Sequence, residues 1–208
     1  MKTTTLKTLA TLAALAGIQA ALLAEPLTFD FKDPKGVNNA TFTLDAPLEA
    51  ISGSADGVTG TVTFDPANPA ATKGRIVIAA ASLNVPNSMM KQHMHGPMWM
   101  DTGKHTEIVF EAKELKNVKT EGNKTSADAV GSFSLHGVTK ELTVPITLTY
   151  APGKLGARVP NLKGDLLVVR TNFVVDRRDF AINPSAPDDK VAYDIHVGVS
   201  VAGAAARP

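Results

Sequence analysis

The chain has 208 residues, with 21 Lys and Arg against 20 Asp and Glu, and it contains no cysteine. A nearly balanced charge leaves no electrostatic footprint for nucleic acid, so we expect no nucleic-acid partner. Without cysteine the chain cannot form a disulfide framework, a thiolate metal site or a lipid-modified N-terminal cysteine.

The first 24 residues have the pattern of a cleaved signal peptide. A basic head over residues 1–7 precedes an apolar run rich in Ala and Leu, and small residues at 20–24 suit signal-peptidase cleavage. An uncleaved membrane anchor is the alternative, but polar residues interrupt the run, and about 18 to 20 clean apolar residues are needed to span a membrane. We therefore predict export to the periplasm, no transmembrane segment in the mature protein, and one domain over residues 25–208.

The first part of that domain has the period of two that is typical of β-strands. Leu27, Phe29 and Phe31 alternate with polar residues, as a half-buried strand requires. The same alternation recurs over residues 40–44, 58–64 and 75–83. Residues 53–57 and 65–69 are rich in turn-forming residues and are predicted to be turns.

Residues 88–110 interrupt this pattern with a cluster of Met and His. Ser88 is a suitable N-cap for a short helix, and Gly96 and Pro97 are expected to end it. Met89 and His93, like Met90 and Met94, stand four residues apart and would stack on such a helix. A helix of about two turns is unstable alone in water. We therefore expect the segment near 88–102 to be partly helical and to lie on an apolar surface of the domain.

After this segment the alternation resumes to the end of the domain. Strands are predicted around residues 108–110, 113–119, 127–135, 142–150, 166–175 and 193–201. His136 and Gly137 form a predicted hairpin turn, and Pro145 indicates a bulge or a sheet edge. The long loop over 151–164 suggests a place at the rim of the fold.

The pattern predicts an all-β protein of about eight to ten antiparallel strands with one short helical interruption. No strand–helix–strand alternation occurs, so the chain should form a barrel or a sandwich. We favour an extended antiparallel barrel of about eight strands, because closure removes exposed edges and such an interior can hold one small ligand.

The sequence contains no signature of an enzyme, and we expect no catalytic residues and no cofactor. G-x-S-x-G, Walker, G-x-G-x-x-G and H-E-x-x-H motifs are absent from the sequence. The carboxylates Asp101, Glu107, Asp176 and Asp179 stand at predicted turns or on polar faces, where solvated side chains are the rule. His136 and His196 are expected to be structural or exposed.

Several segments carry a resemblance to a known family. These are GSFSLHGVTK at 131–140 with the strand that follows it, GTVTFDPANPA at 60–70, His93 with Pro97, Trp99 and Asp101, and Arg178 with Asp179 and Phe180. Over residues 27–201 the chain resembles the YceI-like family of periplasmic polyisoprenoid-binding proteins. The resemblance implies a lipocalin-like barrel that holds a long isoprenoid chain in an apolar tunnel.

The sequence departs from the usual pattern of that family at a few positions. Met90 and Lys91 stand where Arg and Asp are usual, Met100 follows Trp99 in place of a second aromatic residue, and Ala181 stands where Gly is usual. These departures bear on the identity of the ligand more than on the fold.

The preferred functional hypothesis is a lipid carrier, since the predicted inward faces are apolar and carry no charge to orient a polar substrate. The ligand is expected to be one isoprenoid or quinone-like chain, and a homodimer remains possible. In this reading the methionines cap the tunnel mouth, although they could equally fill core. The expected lipid-binding residues are Phe64, Ile78, Met90, His93, Met94, Met98, Trp99, Phe110, Phe133, Val144, Ile146 and Phe180.

The alternative is a periplasmic copper-binding protein. Thioether and imidazole groups are ligands that Cu(I) accepts. The candidates are Met89, Met90, Met94, Met98 and Met100 with His93 and His95. On a helix Met90, His93 and Met94 share one face while His95 points elsewhere. Because spacing alone does not make these groups converge, we rank this reading second and expect no bound metal.

Overall fold

The computed structural model describes residues 25–207, so the predicted signal peptide lies outside the described residues. The strands are β1 (Leu27–Asp30), β2 (Asn39–Asp45), β3 (Ala50–Ala55), β4 (Val58–Phe64), β5 (Lys73–Ala79), β6 (Glu107–Glu121), β7 (Lys124–Leu135), β8 (Val138–Ala151), β9 (Gly164–Asp176) and β10 (Asp194–Ala206). Two short helices, α1 (Ser88–His95) and α2 (Leu155–Arg158), and 3₁₀ turns at Pro69–Ala71, Ala80–Ser82 and Arg177–Phe180 connect them.

The strands form one antiparallel sheet that closes into an eight-stranded barrel, as predicted. Its order is β1-β4-β5-β6-β7-β8-β9-β10, and the pairing of Asp30 with Ala204 joins β1 back to β10. The hairpin β2-β3 continues from the other part of the same edge of β10, where His196 to Ser200 pair with β2. The strand β10 therefore has two partners along one edge.

A buried side chain fills the place where β10 changes partner. The amide of Asn38, which is 1 % exposed, donates to the carbonyls of Phe31 and Ala202 at 3.0 and 3.1 Å. Its oxygen accepts from the Ala202 N–H at 2.8 Å and from Arg158 at 2.9 Å. The Asn38 side chain thus substitutes for the missing strand residue opposite Ala202, and no backbone group is left unpaired there.

The predicted turn at 53–57 is wrong for residues 53–55, which belong to the strand β3, and only residues 56–57 connect β3 to β4. The small residues of β3 were read as turn formers, but they are needed for packing. A Cβ added to Gly53 would lie only 2.1 Å from the ring of Phe42 on the neighbouring strand β2. The small side chains therefore let β3 lie beside a phenylalanine that points into the barrel.

Pro145 lies where β8 has a neighbouring strand on one side only, as the sequence predicted. The pairing of β8 with β9 runs from Ala151 to Ile146 and stops there, so Pro145 is paired with β7 but has no partner on β9. The hydroxyl of Thr171 donates to the Pro145 carbonyl at 2.6 Å, which satisfies the last acceptor before the strands part. A proline at this position costs no strand hydrogen bond.

The interior of the barrel is filled at one end only. A core around Phe29, Phe31, Phe64 and Leu167 occupies the end where β1 and β4 pair. The loop at 151–164, for which a rim position was expected, contains α2 and packs its buried Leu155 near this filled end, against β9 and β10. The other half of the barrel holds a cavity.

Candidate functional site

The cavity has a volume of about 540 Å³ and lies inside the barrel. The inward residues of β2, β3 and β5 to β10 line it together with the segment around α1, and nearly all of them are apolar. The polar or charged ones are Thr41, Glu49, Asn87, His93, Thr171 and Arg177. A concave site of this size with few polar groups suits a small apolar ligand.

Helix α1 covers one end of the cavity. Asn87 caps it by accepting a hydrogen bond from the Met90 N–H at 2.9 Å, so the predicted cap at Ser88 is one residue off. The helix ends at Gly96, as expected. His95 holds the helix in place, since its Nε2 lies 2.9 Å from the Leu83 carbonyl and its Nδ1 3.0 Å from the Thr102 hydroxyl.

The mouth of the cavity lies where exposed residues border it. Asn87 before α1, Met89 and His93 on α1 and Glu49 from the β2–β3 turn are all exposed and all line the cavity. Glu49, Asn87 and His93 are three of the six polar or charged lining residues. A ligand's polar end placed here would therefore remain hydrated.

Nine of the twelve side chains expected to contact a lipid line this cavity. They are Ile78, Met90, His93, Met94, Trp99, Phe110, Phe133, Val144 and Ile146. The structure brings them together because alternate residues of a strand share one face and the barrel turns that face inward. Whether they bind lipid stays a prediction.

The other three expected residues lie elsewhere. Phe64 belongs to the filled end, where its ring packs on Tyr150 at 5.6 Å. Met98 points into solvent with 69 % of its surface exposed. Phe180 is buried behind the cavity wall, with its ring edge-on to Phe133 at 5.5 Å. Alternation located the inward faces, but it could not show how deep the cavity reaches.

The expectation that no charge is buried is wrong, because Arg177 lines the cavity and is completely buried. Its guanidinium donates to five backbone carbonyls and to no carboxylate. The acceptors are Ile182, Asn183, Ala186, Val191 and Ala192. All five N–H groups of the side chain are used, so Arg177 organises the 182–192 loop and has none left for a ligand.

Of the two histidines proposed as copper ligands, only His93 keeps an imidazole that is not used to hold α1 in place. Met90, His93 and Met94 share the cavity side of α1 and His95 points away, as the helix predicted, but both nitrogens of His95 have partners. Within residues 25–207, no group of three His, Asp or Glu side chains could hold a metal ion. The copper hypothesis therefore rests on His93 and thioethers alone.

Sequence reasoning missed other parts of the wall. Phe42, Ile51, Leu83 and Val85 complete the cavity beside α1. Phe42 lies in a predicted strand and alternation could have identified it. Ile51 and Val85 lie outside the predicted strands. Leu83 ends the predicted strand at 75–83, but on the face opposite to Ile76 and Ile78, so alternation did not place it in the cavity.

The family model for the YceI-like domain matches residues 27–202. A UPF0312 protein of Yersinia pestis (strain Pestoides F) is 32 % identical over 99 residues, which cover 48 % of this chain and 49 % of that protein. A UPF0312 protein of Pseudomonas paraeruginosa (strain DSM 24068 / PA7) is 33 % identical over 89 residues, or 43 % and 44 % of the two chains. The aligned part thus spans about half the length of these curated relatives.

Solved structures with the same fold include Burkholderia cenocepacia BcnA, with a TM-score of 0.64, 18 % identity and coverage of 79 % of this chain and 95 % of that one. The Campylobacter jejuni YCEI protein has a TM-score of 0.60 and 22 % identity, and the match covers 73 % of this chain and 83 % of that one. A polyisoprenoid binding domain from Saccharophagus degradans, described as implicated in plant cell wall breakdown, has a TM-score of 0.62 and 11 % identity, and the match covers 87 % of this chain and 99 % of that one. At these identities the likeness concerns the fold.

Proposed function

The chain belongs to the YceI-like domain family, and from this premise we propose that it is a binding protein whose barrel holds one long apolar lipid chain. The observation that carries the proposal is the cavity of about 540 Å³, lined almost wholly by apolar side chains and polar at its mouth. The ligand we favour is an isoprenoid or a quinone-like lipid, held for transport, storage or a stress response. The proposal includes no catalytic step.

The likeness to the Saccharophagus degradans domain supports the choice of ligand, since that domain is described as polyisoprenoid binding. The magnitude of the hydrophobic effect is also sufficient. Removing about twenty methylene-sized groups from water is worth roughly 16 kcal/mol gross at ~0.8 kcal/mol each. Association costs of about 4 to 15 kcal/mol leave a usable affinity. No charged partner is required.

We also propose that residues 1–24 are a cleaved signal peptide and that residues 25–208 form one domain that acts in the periplasm. In the part of the chain that the structure describes, no helix is long and apolar enough to cross a membrane. The intact mass of the exported protein tests the proposal. A mature chain beginning between about residues 21 and 25 is expected, whereas retention of residues 1–20 would indicate an uncleaved anchor.

Lipid content of the protein purified from its own periplasm tests the binding proposal. Native mass spectrometry reports bound lipid, any metal and the oligomeric state together. We expect one lipid chain on each wild-type barrel and a reduced lipid content on Ile146→Trp, because an indole at this lining position takes up part of the cavity. The control is Thr143→Trp on the same strand, where the side chain is exposed and lipid content should be unchanged.

Two results would contradict this function. One is a wild-type protein that carries no lipid and takes up no isoprenoid in vitro. The other is an Ile146→Trp variant that folds normally and still retains a full complement of lipid.

A further inference from the structure

We propose that this barrel selects ligands by chain length and encloses a chain of about 15 to 20 carbons, with a fixed floor that stops longer chains. The inference rests on the proposed lipid-binding function and specifies the class of ligand. It follows from where the cavity ends along each strand, how firmly that end is packed and how much space lies above it.

The floor is the closed inner end of the cavity, and the inward-facing residues of β8 and β9 show where it lies. On β8 Ile146 lines the cavity, but Leu148, the next inward residue, is 2 % exposed and belongs to the packed core. On β9 Val169 lines the cavity, and Leu167, the next inward residue, is completely buried. Leu148 pairs with the lining residue Val169, and Leu167 pairs with Tyr150, so the cavity ends within one inward residue pair on these two strands.

Strand β10 shows the same limit. Val201 is its deepest residue on the cavity, and Gly203 follows on the same face. The ring of Phe31 lies directly on Gly203, where an added Cβ would come within 2.6 Å of it. Phe31 is itself completely buried, so its ring occupies the space that an open tunnel would need.

The material beneath the floor is packed aromatic core. The ring of Tyr150 lies edge-on to Phe29 at 6.2 Å and tilted against Phe64 at 5.6 Å. Aromatic groups held in this way have no empty rotamer to move into, because protein cores are close-packed. A ligand cannot lengthen the cavity by pushing these side chains aside at small cost.

A hydrogen bond also prevents the Tyr150 ring from swinging away. Its hydroxyl donates to the buried carboxylate of Asp165 at 2.7 Å, which accepts from the Gly153 N–H at 2.8 Å and from Arg207 at 2.5 Å. Burial alone would raise the pKa of Asp165, but these hydrogen bonds outweigh it and hold the pKa below the ordinary value of 3.8. The carboxylate therefore accepts at neutral pH.

The space above the floor sets the length. At roughly 30 Å³ for each water-sized group, a cavity of about 540 Å³ holds about 18 such groups. This corresponds to about three or four isoprene units. A longer chain must leave through the mouth beside Met89 and His93, where its extra carbons stay in water and add no affinity.

The experiment measures dissociation constants for prenyl alcohols of increasing length with the full mature protein. The probes are geraniol, farnesol, geranylgeraniol and solanesol, which have two, three, four and nine isoprene units. Trp99 is the only tryptophan of the chain and lines the cavity, so its fluorescence reports occupancy. We expect affinity to rise by up to about fourfold for each buried methylene-sized group as far as geranylgeraniol, and solanesol to bind no tighter.

Two variants move the floor in opposite directions. Leu148→Ala lowers it, and the plateau should shift to chains longer than geranylgeraniol. Val169→Phe raises it, and the plateau should shift to farnesol or shorter. The control is Leu155→Ala, which makes the same truncation at a buried site of α2 away from the cavity and should leave the plateau where it is.

The outcomes separate the two proposals. If affinity keeps rising through solanesol, or if the plateau is unmoved in the folded variants, the length inference is overturned while lipid binding stands. Should Leu148→Ala fail to fold, Val169→Phe alone decides. If no prenyl alcohol binds at any length and the native protein carries no lipid, the proposed function fails together with the inference.

Discussion

At the scale of single residues, the structure depends on a few side chains that satisfy backbone groups far from their own position. Arg177 is the clearest case, since its five N–H groups hold carbonyls spread over residues 182–192. Its guanidinium also lies over the ring of Tyr193 at 4.9 Å. Desolvation lowers the pKa of Arg177, yet an arginine stays charged at neutral pH.

We predict that Arg177→Met destabilises the protein by about 4 kcal/mol, at the upper end of single substitutions, because buried carbonyls lose a charged donor. Chemical denaturation measures the change. Arg178 is the matched control, since it is exposed and pairs with Asp176 at the surface, so Arg178→Met should change the midpoint little. Equal effects of the two substitutions would contradict the role assigned to Arg177.

A second prediction at the residue scale concerns Ala181, whose backbone is in the left-handed region. Ala181 ends the Arg177–Phe180 turn with φ of 55°, in the left-handed region that costs an L-residue about 1 to 2 kcal/mol. We expect Ala181→Gly to stabilise the protein by about 0.5 to 1 kcal/mol after the entropic cost of glycine, measured as a higher thermal midpoint. At Ala67, an exposed turn residue without positive φ, the same change should destabilise.

At the scale of elements, α1 is a short helix held by its ends. The Asn87 side chain caps it, the Gly96 N–H bonds to the His93 carbonyl at 2.9 Å, and His95 ties it to Leu83. A helix of 8 residues is not stable by itself. Its position over the cavity therefore depends on these polar contacts together with the apolar face of Met90 and Met94.

We predict that Asn87→Ala weakens α1 by about 1 kcal/mol. Hydrogen exchange of the Met90 amide, which donates to the Asn87 side chain, should quicken by about fivefold in the apo protein. Ser88→Ala is the control, because the neighbouring serine makes no capping hydrogen bond and exchange should be unaffected. If Ser88→Ala had the larger effect, the cap would lie where the sequence alone placed it.

At the scale of the whole molecule, closure of the barrel depends on a short contact. β1 has 4 residues and meets β10 around Asp30 and Ala204, whereas β2 takes the neighbouring part of the same β10 edge. The Asn38 side chain bonds to Ala202, between the part of β10 that pairs with β1 and the part that pairs with β2. Asp33 supports it by accepting from the Asn38 N–H and from Arg158, each at 2.7 Å.

We predict that Asn38→Ala costs about 2 to 4 kcal/mol, because the N–H and carbonyl of Ala202 and the carbonyl of Phe31 lose their buried partner. The shift of the denaturation midpoint measures the loss of stability. Faster hydrogen exchange of the Ala202 amide would show that the loss arises at this site. Asn39→Ala removes only a surface hydrogen bond to the Val37 carbonyl and should be nearly neutral. Equal losses of stability from Asn38→Ala and Asn39→Ala would show that Asn38 does not stabilise the place where β10 changes partner.

The class of fold and most of one wall of the site could be predicted from the pattern of apolar and polar residues. Alternation with period two identified β1, β2, β4, β5 and the strands from β6 to β10, since a side chain's face follows from its place in a strand. The hairpin turn at His136 and Gly137 was predicted from a glycine between two alternating runs, and both residues adopt the positive φ that a two-residue hairpin loop requires. The grouping of Ile78, Phe110, Phe133, Val144 and Ile146 around one space followed from the same alternation.

The closure of the barrel and the depth of its cavity depend on long-range packing and could not be predicted from that pattern. Strand β3 was hidden because small residues that suit a turn also suit a close approach to Phe42. Arg177 and Asn38 could not be recognised, since their partners are backbone groups, which have no signature in the sequence. Phe64 and Leu148 share the alternation of the lining residues, yet they lie in the filled end, because depth along a barrel axis depends on how all eight strands are staggered.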